Sequence, residues 1–463
     1  MHELLEGLLG EFSGVGYGEL RYHERKGVNI AVRQGELEAA NSTVYSGIGA
    51  RAFHKGGWGF SSTSRLDRDS ISRTIRDAIS GARASGRASG KKRVTGLDKA
   101  DLGKGRFGPE IDDPLSDHPF EEKLALVRAT EGKVRSYPFI TSTLCGYRET
   151  LDHKYIFTTD GARAEVFDSK PEFRLMGVAA ADGRHVEVFE SLGVTGGWKD
   201  LFERQPDELA ESVARRADKL LKAGHPKGER AVVILDPGIV GLLAHEAIGH
   251  TVEADFVLSG AITEGKLGQR VASELVTLVD SGPSQYGKHA GGTVLIDDEG
   301  VITEKTVVID RGILKSYLHN RETAALFGVR ATGNARAFEY SDEPLIRMRN
   351  TYIEPGNKTL EEMISEVKQG YLLKGPRGGQ ADANAEFMFS VQEAYRIENG
   401  KLGELLRGAA ISGQAFDVLQ SVDAVSTEFK FDLGSGYCGK GQLAKVDAGG
   451  GYVRCKAIIG GRG

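Results

Sequence analysis

The chain has 463 residues, which is enough for two domains with separate hydrophobic cores. Hydrophobic and charged residues make up 40% and 27%, as in ordinary soluble proteins, and a formal net charge of −5 argues against nucleic acid or a membrane surface as the main partner. The 62 glycines, about 13% of the chain against a usual ~7%, follow no period, which excludes collagen and favours a turn-rich β protein.

The amino terminus and the cysteines predict a cytoplasmic protein. The first residues, MHELLEGLLGEF, lack the basic start, apolar run and cleavage site of a secretory signal. No apolar run reaches the ~18 residues that a membrane span needs. Cys145, Cys438 and Cys455 are too few and too scattered for a disulfide framework, so a functional cysteine is expected to be a ligand or a nucleophile.

The first part of the chain combines helices with antiparallel strands. Apolar residues at helical spacing predict a short helix over 4–12, and glycine-punctuated alternation predicts a meander over 27–63. Further helices are expected over 68–84 and 124–134. The stretch 81–119 is rich in Gly, Ser, Lys and Asp, and predicts a long surface excursion.

Two hairpins are predicted next, over 155–169 and 177–193, because each range has Asp-Gly between strand-like runs. A charged helix follows near 206–223. The polar segment KAGHPKGER, residues 222–230, is the best domain boundary, which divides the chain into domains 1–224 and 225–463.

The second domain is expected to be rich in strands. A short apolar strand over 231–235 is followed by Asp-Pro-Gly and by a helix that begins near Gly238. One more helix is predicted over 359–370. The sequence therefore predicts an α+β protein with a β-dominated second half.

The segment LLAHEAIGHTVEAD, residues 242–255, suggests a metal site. Five residues separate His245 from His250, and in an α-helix such positions lie ~140° apart around the axis, so a regular helix would keep the two imidazoles from one ion. A π-type bulge or a helix end at Gly249 would turn the second histidine back. Such a cluster is more often merely hydrogen-bonded, but the apolar lead-in predicts a buried helix, where an unpartnered His–Glu pair is costly.

Several side chains compete to be the third protein ligand that a catalytic zinc normally has. Glu253 lies one helical turn after the second histidine, and His319 lies in SYLHNRE. Cys455 belongs to an alternating strand, where a thiol usually fills the core. Cys438 lies in the glycine-dense loop GSGYCGKGQ beside Lys440, a cation that favours the thiolate. The residues alone place Cys438 only slightly ahead of Glu253.

An ordered series of segments between residues 231 and 442 resembles the TldD/PmbA family, described as modulators of DNA gyrase and as metalloproteases. The segments are LDPGIVGLLAHEAIGH, TVLIDDEG, ATGNARA, PLIRMRNTYIEPG, GGQAD, VQEAYRIENGK and YCGKGQ. The resemblance implies an N-terminal α/β domain with an antiparallel sheet and helices. It also implies a β-dominated, barrel-like C-terminal domain that carries the metal-binding helix.

The resemblance implies a zinc site as well. In this family the His-Glu-x-x-x-His segment and a cysteine of the Cys-Gly-Lys loop build the site, which makes His245, His250 and Cys438 the ligands of Zn²⁺ and Glu246 the general base. The chemistry agrees, because two imidazoles and one thiolate leave a position for water and zinc lowers its pKa toward ~7. Glu253 then becomes a residue that orients a histidine.

The function implied by the resemblance is that of the catalytic TldD-type subunit, because the metal-free paralogue, PmbA or TldE, lacks the His-Glu-x-x-x-His segment. The expected reaction is hydrolysis of short or unfolded peptides inside the cavity of a dimer. The partner is a TldE/PmbA-like paralogue or a second copy of the chain. Two rival hypotheses are a metal-dependent amidohydrolase acting on small amides and a non-catalytic, peptide-binding regulatory subunit.

Three other segments have no assigned chemistry. Asp297–Gly300, DDEG, is either a turn or a carboxylate pair, and such a segment is more often a turn. Gly378 and Gly379 belong to a loop, or to a strand edge that receives an extended peptide. Asn334 and Arg336 contact the substrate or hold a turn.

Overall fold

The first half of the protein, in a computed structural model that describes residues 1–88, 94 and 96–461, contains one large sheet and its helices. Short 3₁₀ turns are formed by Leu9–Phe12 and Leu115–Asp117. The other elements, in chain order, are α1 (His2–Leu8), β1 (Tyr17–Arg33), β2 (Glu36–His54), β3 (Gly57–Thr63), α2 (Arg68–Ala88), β4 (Lys104–Phe107), α3 (Phe120–Arg135), β5 (Ile140–Thr158), β6 (Arg163–Ala181), β7 (Arg184–Gly193), α4 (Trp198–Leu201) and α5 (Pro206–Leu221).

Seven strands form the sheet, in the order β3-β2-β1-β5-β6, with β4 and β7 both paired to β6. All pairs are antiparallel except β4 with β6. Both Asp-Gly hairpins predicted from the sequence are confirmed. At the second turn Asp182 and Gly183 have φ of 51° and 75°, the left-handed geometry that a two-residue hairpin requires.

The two faces of this sheet differ in chemistry because successive strand residues point to opposite sides. Leu20 and Tyr22 of β1 pack in a cluster with α1 and α2, and Ile30 and Val32 pack in a second cluster with α3 and α5. The intervening residues are charged or polar, and they are buried too: Glu19, Arg21, His23 and Arg25.

The second half of the protein covers this charged face. Arg51 Nη2 lies 2.6 Å from Glu299 Oε1, and Lys154 Nζ lies 2.8 Å from Asp298 Oδ1. Both carboxylates belong to the DDEG segment. Gly300 N donates to Asp297 O at 3.0 Å with a Gly300 φ of 78°, so the turn interpretation is confirmed. The turn also ties the two halves together through buried ion pairs.

The second half is built from short strands and helices. A π-helix is formed by Leu243–Gly249 and a 3₁₀ turn by His250–Val252. The other elements are β8 (Glu229–Leu235), α6 (Pro237–Leu242), α7 (Ala254–Val257), β9 (Leu278–Ser281), β10 (Lys305–Asp310), β11 (Ile313–Leu314), α8 (Arg321–Phe327), β12 (Ala335–Arg336), β13 (Leu345–Ile346), β14 (Asn350–Ile353), α9 (Leu360–Ser365), β15 (Gln369–Ala381), β16 (Glu386–Glu398), β17 (Lys401–Leu406), β18 (Ala409–Gln414), α10 (Ala415–Gln420), β19 (Ala424–Val425), β20 (Lys430–Phe431), β21 (Tyr437–Gly439), β22 (Leu443–Lys445), β23 (Asp447–Gly450) and β24 (Val453–Gly461).

Five of these strands close into a barrel, in the order β15-β8-β24-β18-β16 and back to β15. A six-stranded sheet, β11-β10-β9-β14-β23-β20, lies beside it, and β21 pairs with β22 as a separate ribbon. The largest apolar cluster contains barrel residues such as Phe389 and Ile411 together with Ile239 and Ile248 of the metal-site helices. The barrel therefore supports the segment that carries the histidines.

The structure confirms the α+β class and most predicted elements, with two differences. The helix predicted over 359–370 ends at Ser365, because residues from Gln369 onward join β15. The excursion predicted over 81–119 begins with the end of α2 and contains β4, while residues 89–93 and 95 of that stretch lie outside the described residues. No helix of the described chain is long and apolar enough to cross a membrane. The division at residue 224 stays a prediction.

Candidate active site

The segment that carries the histidines is anchored where it leaves the barrel. Asp236 caps α6, because its Oδ1 accepts a hydrogen bond from Ile239 N at 2.9 Å and Pro237 needs no acceptor at the first helical position. Its Oδ2 accepts from Gly375 N of β15 at 2.7 Å. The start of the helix is therefore fixed to the barrel wall.

The helix changes its winding where the histidines lie. Leu243–Gly249 is a π-helix and His250–Val252 is a 3₁₀ turn. Hydrogen bonds from i to i+5 widen the helical turn, so residues five apart come onto one side. The rings of His245 and His250 are 5.2 Å apart between centroids and nearly perpendicular, at 82°. The predicted π-type distortion is confirmed.

Two glycines let this helix lie close to its neighbours. A Cβ on Gly249 would lie 1.9 Å from Sδ of Met348, a fully buried side chain. A Cβ on Gly241 would lie 2.6 Å from the backbone carbon of Ala448 in β23. Because both approaches are shorter than any real Cβ contact, the position of the π-helix depends on glycine at these points.

Three potential ligand atoms converge beside the π-helix. Those of His245, His250 and Cys438 all lie within 4.8 Å of one another, and Cys438 Sγ is 3.2 Å from His250 Nε2. The His245 side chain is buried, yet neither of its ring nitrogens has a hydrogen-bond partner among the described residues. A metal ion would satisfy such a nitrogen, so this donor set fits zinc.

His250 is oriented by a carboxylate behind it. Glu253 Oε2 lies 3.2 Å from His250 Nδ1, which leaves Nε2 directed at the thiol. Glu253 is fully buried and also accepts a bond from Lys440 Nζ at 3.0 Å, while the same ammonium lies 2.7 Å from Asp255. Among the described residues, Lys440 forms its ion pairs with these two carboxylates, and its effect on the thiolate stays a prediction. Glu253 has the orienting position expected of it.

The same contacts shift the pKa values of the group. Burial raises the pKa of the Cys438 thiol, but the His245 and His250 imidazoles outweigh it and lower the pKa to about 5. Burial lowers the pKa of His250, yet Cys438 and Glu253 raise it to about 10. Burial also opposes ionisation of Glu253, while His250 and Lys440 lower its pKa. The thiolate form, which is the one that binds metals, is therefore favoured.

Cys438 is held in place by residues that the sequence did not single out. It lies in β21, and Arg347 donates to Cys438 O at 2.6 Å and to Gln442 O at 2.8 Å. Gln442 Oε1 in turn accepts from Phe338 N at 2.8 Å. The local sequence hardly indicates these contacts. In RMRN, Arg347 and Arg349 flank the Met348 that packs on the π-helix, but nothing in this segment predicts a hydrogen bond to a cysteine about 90 residues away.

The remaining candidates lie at different distances from the group. Glu246 is 29% exposed, and its Oε2 lies 3.8 Å from His250 Nε2, on the side where the ligand atoms converge. His319 is not part of the group. It is buried, its Nδ1 lies 3.1 Å from Thr323 Oγ1, and burial lowers its pKa to about 4. Cys455 is a buried residue of the barrel core.

Two imidazoles and a partly exposed carboxylate on a distorted helix, with a thiol from β21 beside them, fit the class of metal-dependent hydrolases. Comparison with known proteins agrees with this class. Three models of the PmbA/TldA metallopeptidase match the chain: domain 1 over residues 18–82, the central domain over 113–221 and the C-terminal domain over 228–459. The chain belongs to the PmbA/TldD family of metallopeptidases.

Relatives support this assignment over almost the full length, and solved structures share the fold. A metalloprotease of Methanocaldococcus jannaschii is 37% identical over 96% of each chain, and a zinc metalloprotease TldD homolog of Saccharolobus solfataricus is 30% identical over 97% of each. The fold matches a proposed modulator of a DNA gyrase from Thermotoga maritima, with a TM-score of 0.79, 19% identity and 99% of each chain covered. It also matches TldE from Thermococcus kodakarensis, with a TM-score of 0.78, 18% identity and 99% and 100% covered.

Proposed function

We propose that this protein is a zinc-dependent peptidase that hydrolyses short or unfolded peptides. His245, His250 and Cys438 hold the zinc ion, and Glu246 is the general base. The observation that carries the proposal is the buried His-His-Cys group, in which the ring nitrogens of His245 lack any other partner among the described residues. A zinc metalloprotease among the full-length relatives supports the choice of metal.

The residues of the chain have distinct roles in this proposal. When bound, zinc supplies a Lewis acid that acidifies water and polarises the peptide carbonyl. Glu246, partly exposed and near His250, accepts the proton of the attacking water and returns it to the leaving amine. Glu253 holds the His250 ring through Nδ1, and Arg347 fixes the carbonyl of Cys438.

The proposed setting of the reaction is a cavity enclosed by a dimer in the cytoplasm. The partner is a TldE/PmbA-like paralogue or a second copy of this chain. Two observations support it: TldE from Thermococcus kodakarensis shares the fold, and the apolar side chains of Phe256 and Leu258, 38% and 52% exposed, lie just after the metal-site segment. A covering partner would restrict access to extended chains.

The first experiment measures the zinc content and the casein-cleaving activity of the purified chain and of Cys438→Ser. We expect about one zinc per chain in the parent, and loss of both metal and cleavage in the variant, because a serine hydroxyl is a poor zinc ligand. Cys145→Ser is the matched control, since Cys145 is buried in the first half away from the site. It should keep both properties.

The possible outcomes separate the rival functions. If Cys438→Ser retains zinc, the third ligand is a group other than Cys438. Zinc bound without cleavage of any unfolded protein would favour a binding subunit, and cleavage of small amides alone would favour an amidohydrolase. Glu246→Gln should retain zinc and lose at least ~100-fold in kcat, the usual size of a general-base contribution.

A further inference from the structure

Apart from the space beside the His-His-Cys group, the protein has a second cavity of about 420 Å³. It lies between the charged face of the first-half sheet and the second half of the chain. Asp152, Lys154 and Lys170 line it from the sheet, and Arg336 and Phe338 line it from the second half. Its volume falls in the range of pockets that bind small molecules. Apolar side chains such as Phe167, Val294 and Leu443 form much of its wall.

The cationic groups of this cavity are compensated, with one exception. Each of five lysine or arginine side chains has a carboxylate close by. The pairs and their shortest N–O distances are Arg25–Asp152 at 2.6 Å, Lys154–Asp298 at 2.8 Å, Lys170–Asp168 at 3.2 Å, Lys288–Glu110 at 3.4 Å and Lys445–Glu172 at 2.8 Å. The sixth cation, Arg336, forms no ion pair with any carboxylate of the described chain.

Arg336 is a buried charge directed at the cavity. It is 91% buried, and its Nη1 donates to Met348 O at 2.7 Å, which is its one hydrogen bond to a described residue. A guanidinium without an anion is costly in a buried position, and its planar fork fits a carboxylate with two parallel hydrogen bonds. Asp298 and Asp168 attract Arg336 from beyond ion-pair distance, so a singly charged anion in the cavity would be the first to contact the guanidinium among the described groups.

The cavity also adjoins the metal group. The ribbon of β21 and β22 forms one of its walls: Tyr437 and its cross-strand partner Lys445 face the cavity, and Cys438 is the next residue after Tyr437. On the other side, the Met348 whose carbonyl holds Arg336 packs against Gly249 of the π-helix. The cavity and the His-His-Cys group therefore flank the same short ribbon.

We propose that this cavity is a specificity pocket that binds a carboxylate of the peptide substrate through Arg336. The carboxylate comes from an acidic side chain or from the C-terminus, and the apolar wall accommodates the carbon atoms that carry it. The inference rests on the proposed peptidase function for the identity of the ligand. Its test is a binding measurement, which does not require hydrolysis.

The experiment compares three fluorescein-labelled peptides of equal length in anisotropy titrations with zinc-loaded Glu246→Gln. One peptide is neutral, with glutamine and a C-terminal amide; one replaces that glutamine by glutamate; one has the glutamine and a free C-terminus. We expect one carboxylate peptide to bind about tenfold more tightly than the neutral one, as for a hydrogen bond between charged groups. The tighter peptide identifies the source of the carboxylate.

A second set of variants assigns the effect to Arg336. With Arg336→Gln the preference should disappear, with Arg336→Lys part of it should remain, and Arg33→Gln, an exposed arginine on the β1–β2 hairpin, should leave it unchanged. Equal binding of all three peptides by Glu246→Gln overturns the proposal even if Arg336→Gln fails to fold. A preference that survives in folded Arg336→Gln also overturns it. A preference without hydrolysis by the parent would refute the peptidase and leave the pocket in place.

Discussion

At the residue scale, Glu253 acts on the proposed metal site without being one of its ligands. Its carboxylate lies between the His250 ring and the Lys440 ammonium, at 3.2 and 3.0 Å. A hydrogen bond to Nδ1 fixes both the tautomer and the plane of an imidazole that binds metal through Nε2. Because Glu253 is fully buried, the bulk solvent does not compete for this contact in the folded protein.

Glu253→Gln should therefore weaken zinc binding by ~10- to 100-fold, the usual effect of losing such a partner, with little change in secondary structure. Competition with a zinc chelator measures the affinity, and circular dichroism checks the fold. Asp255→Asn removes the other, 37% exposed carboxylate that contacts Lys440, and should change the affinity little. Equal losses in both variants would show that Lys440, and not the orientation of His250, controls the metal.

At the scale of elements, the π-helix brings together histidines that an α-helix would separate. The sequence could predict this distortion, because the five-residue spacing and Gly249 are both local. It could not predict the contact that makes the glycine necessary, since Met348 arrives from a segment about 100 residues later. The same limit applies to Arg347, which fixes Cys438, and to Arg336, whose lack of a counter-ion is visible only once the second cavity is formed.

Gly249→Ala should cost about 1–3 kcal/mol of unfolding free energy and lower the zinc content, because the new methyl group collides with Met348. Met348→Ala creates space for it. In a double-mutant cycle, the double variant should therefore be more stable than the sum of the two single changes predicts. Chemical denaturation supplies the energies. Additive energies would mean that the methyl group is accommodated elsewhere.

At the scale of the whole molecule, the charged face of the large sheet joins the two halves. Alternating strands commonly leave the polar face in solvent, so β1 alone does not disclose that Arg21 and His23 are buried. Burial there lowers the pKa of His23 to about 4 even though Asp152 lies 2.8 Å away. Burial lowers that of His319 in the second half to about 4 as well.

Both histidines predict a loss of stability in acid. The unfolded chain binds a proton at each near pH 6.5, whereas the folded chain does so only near pH 4, so the unfolding free energy falls as the pH is lowered from 6.5 to 4. Each contributes ~3 kcal/mol at full effect. Urea unfolding of the chelator-treated protein measures the unfolding free energy at each pH. Between pH 6.5 and pH 4 this free energy should fall ~3 kcal/mol less for His319→Gln than for its parent. Equal decreases would show that His319 does not contribute to the acid destabilisation.

The ribbon of β21 and β22 has a consequence for how this protein can diverge. It offers Cys438 to the metal group on one side and presents Tyr437 and Lys445 to the second cavity on the other. A mutation selected for a new substrate on the cavity side would act on a strand of only three residues that also carries the thiol. The proposed selectivity and the proposed metal binding would thus be inherited together, and variants with altered preference are expected to need compensating changes along the same ribbon.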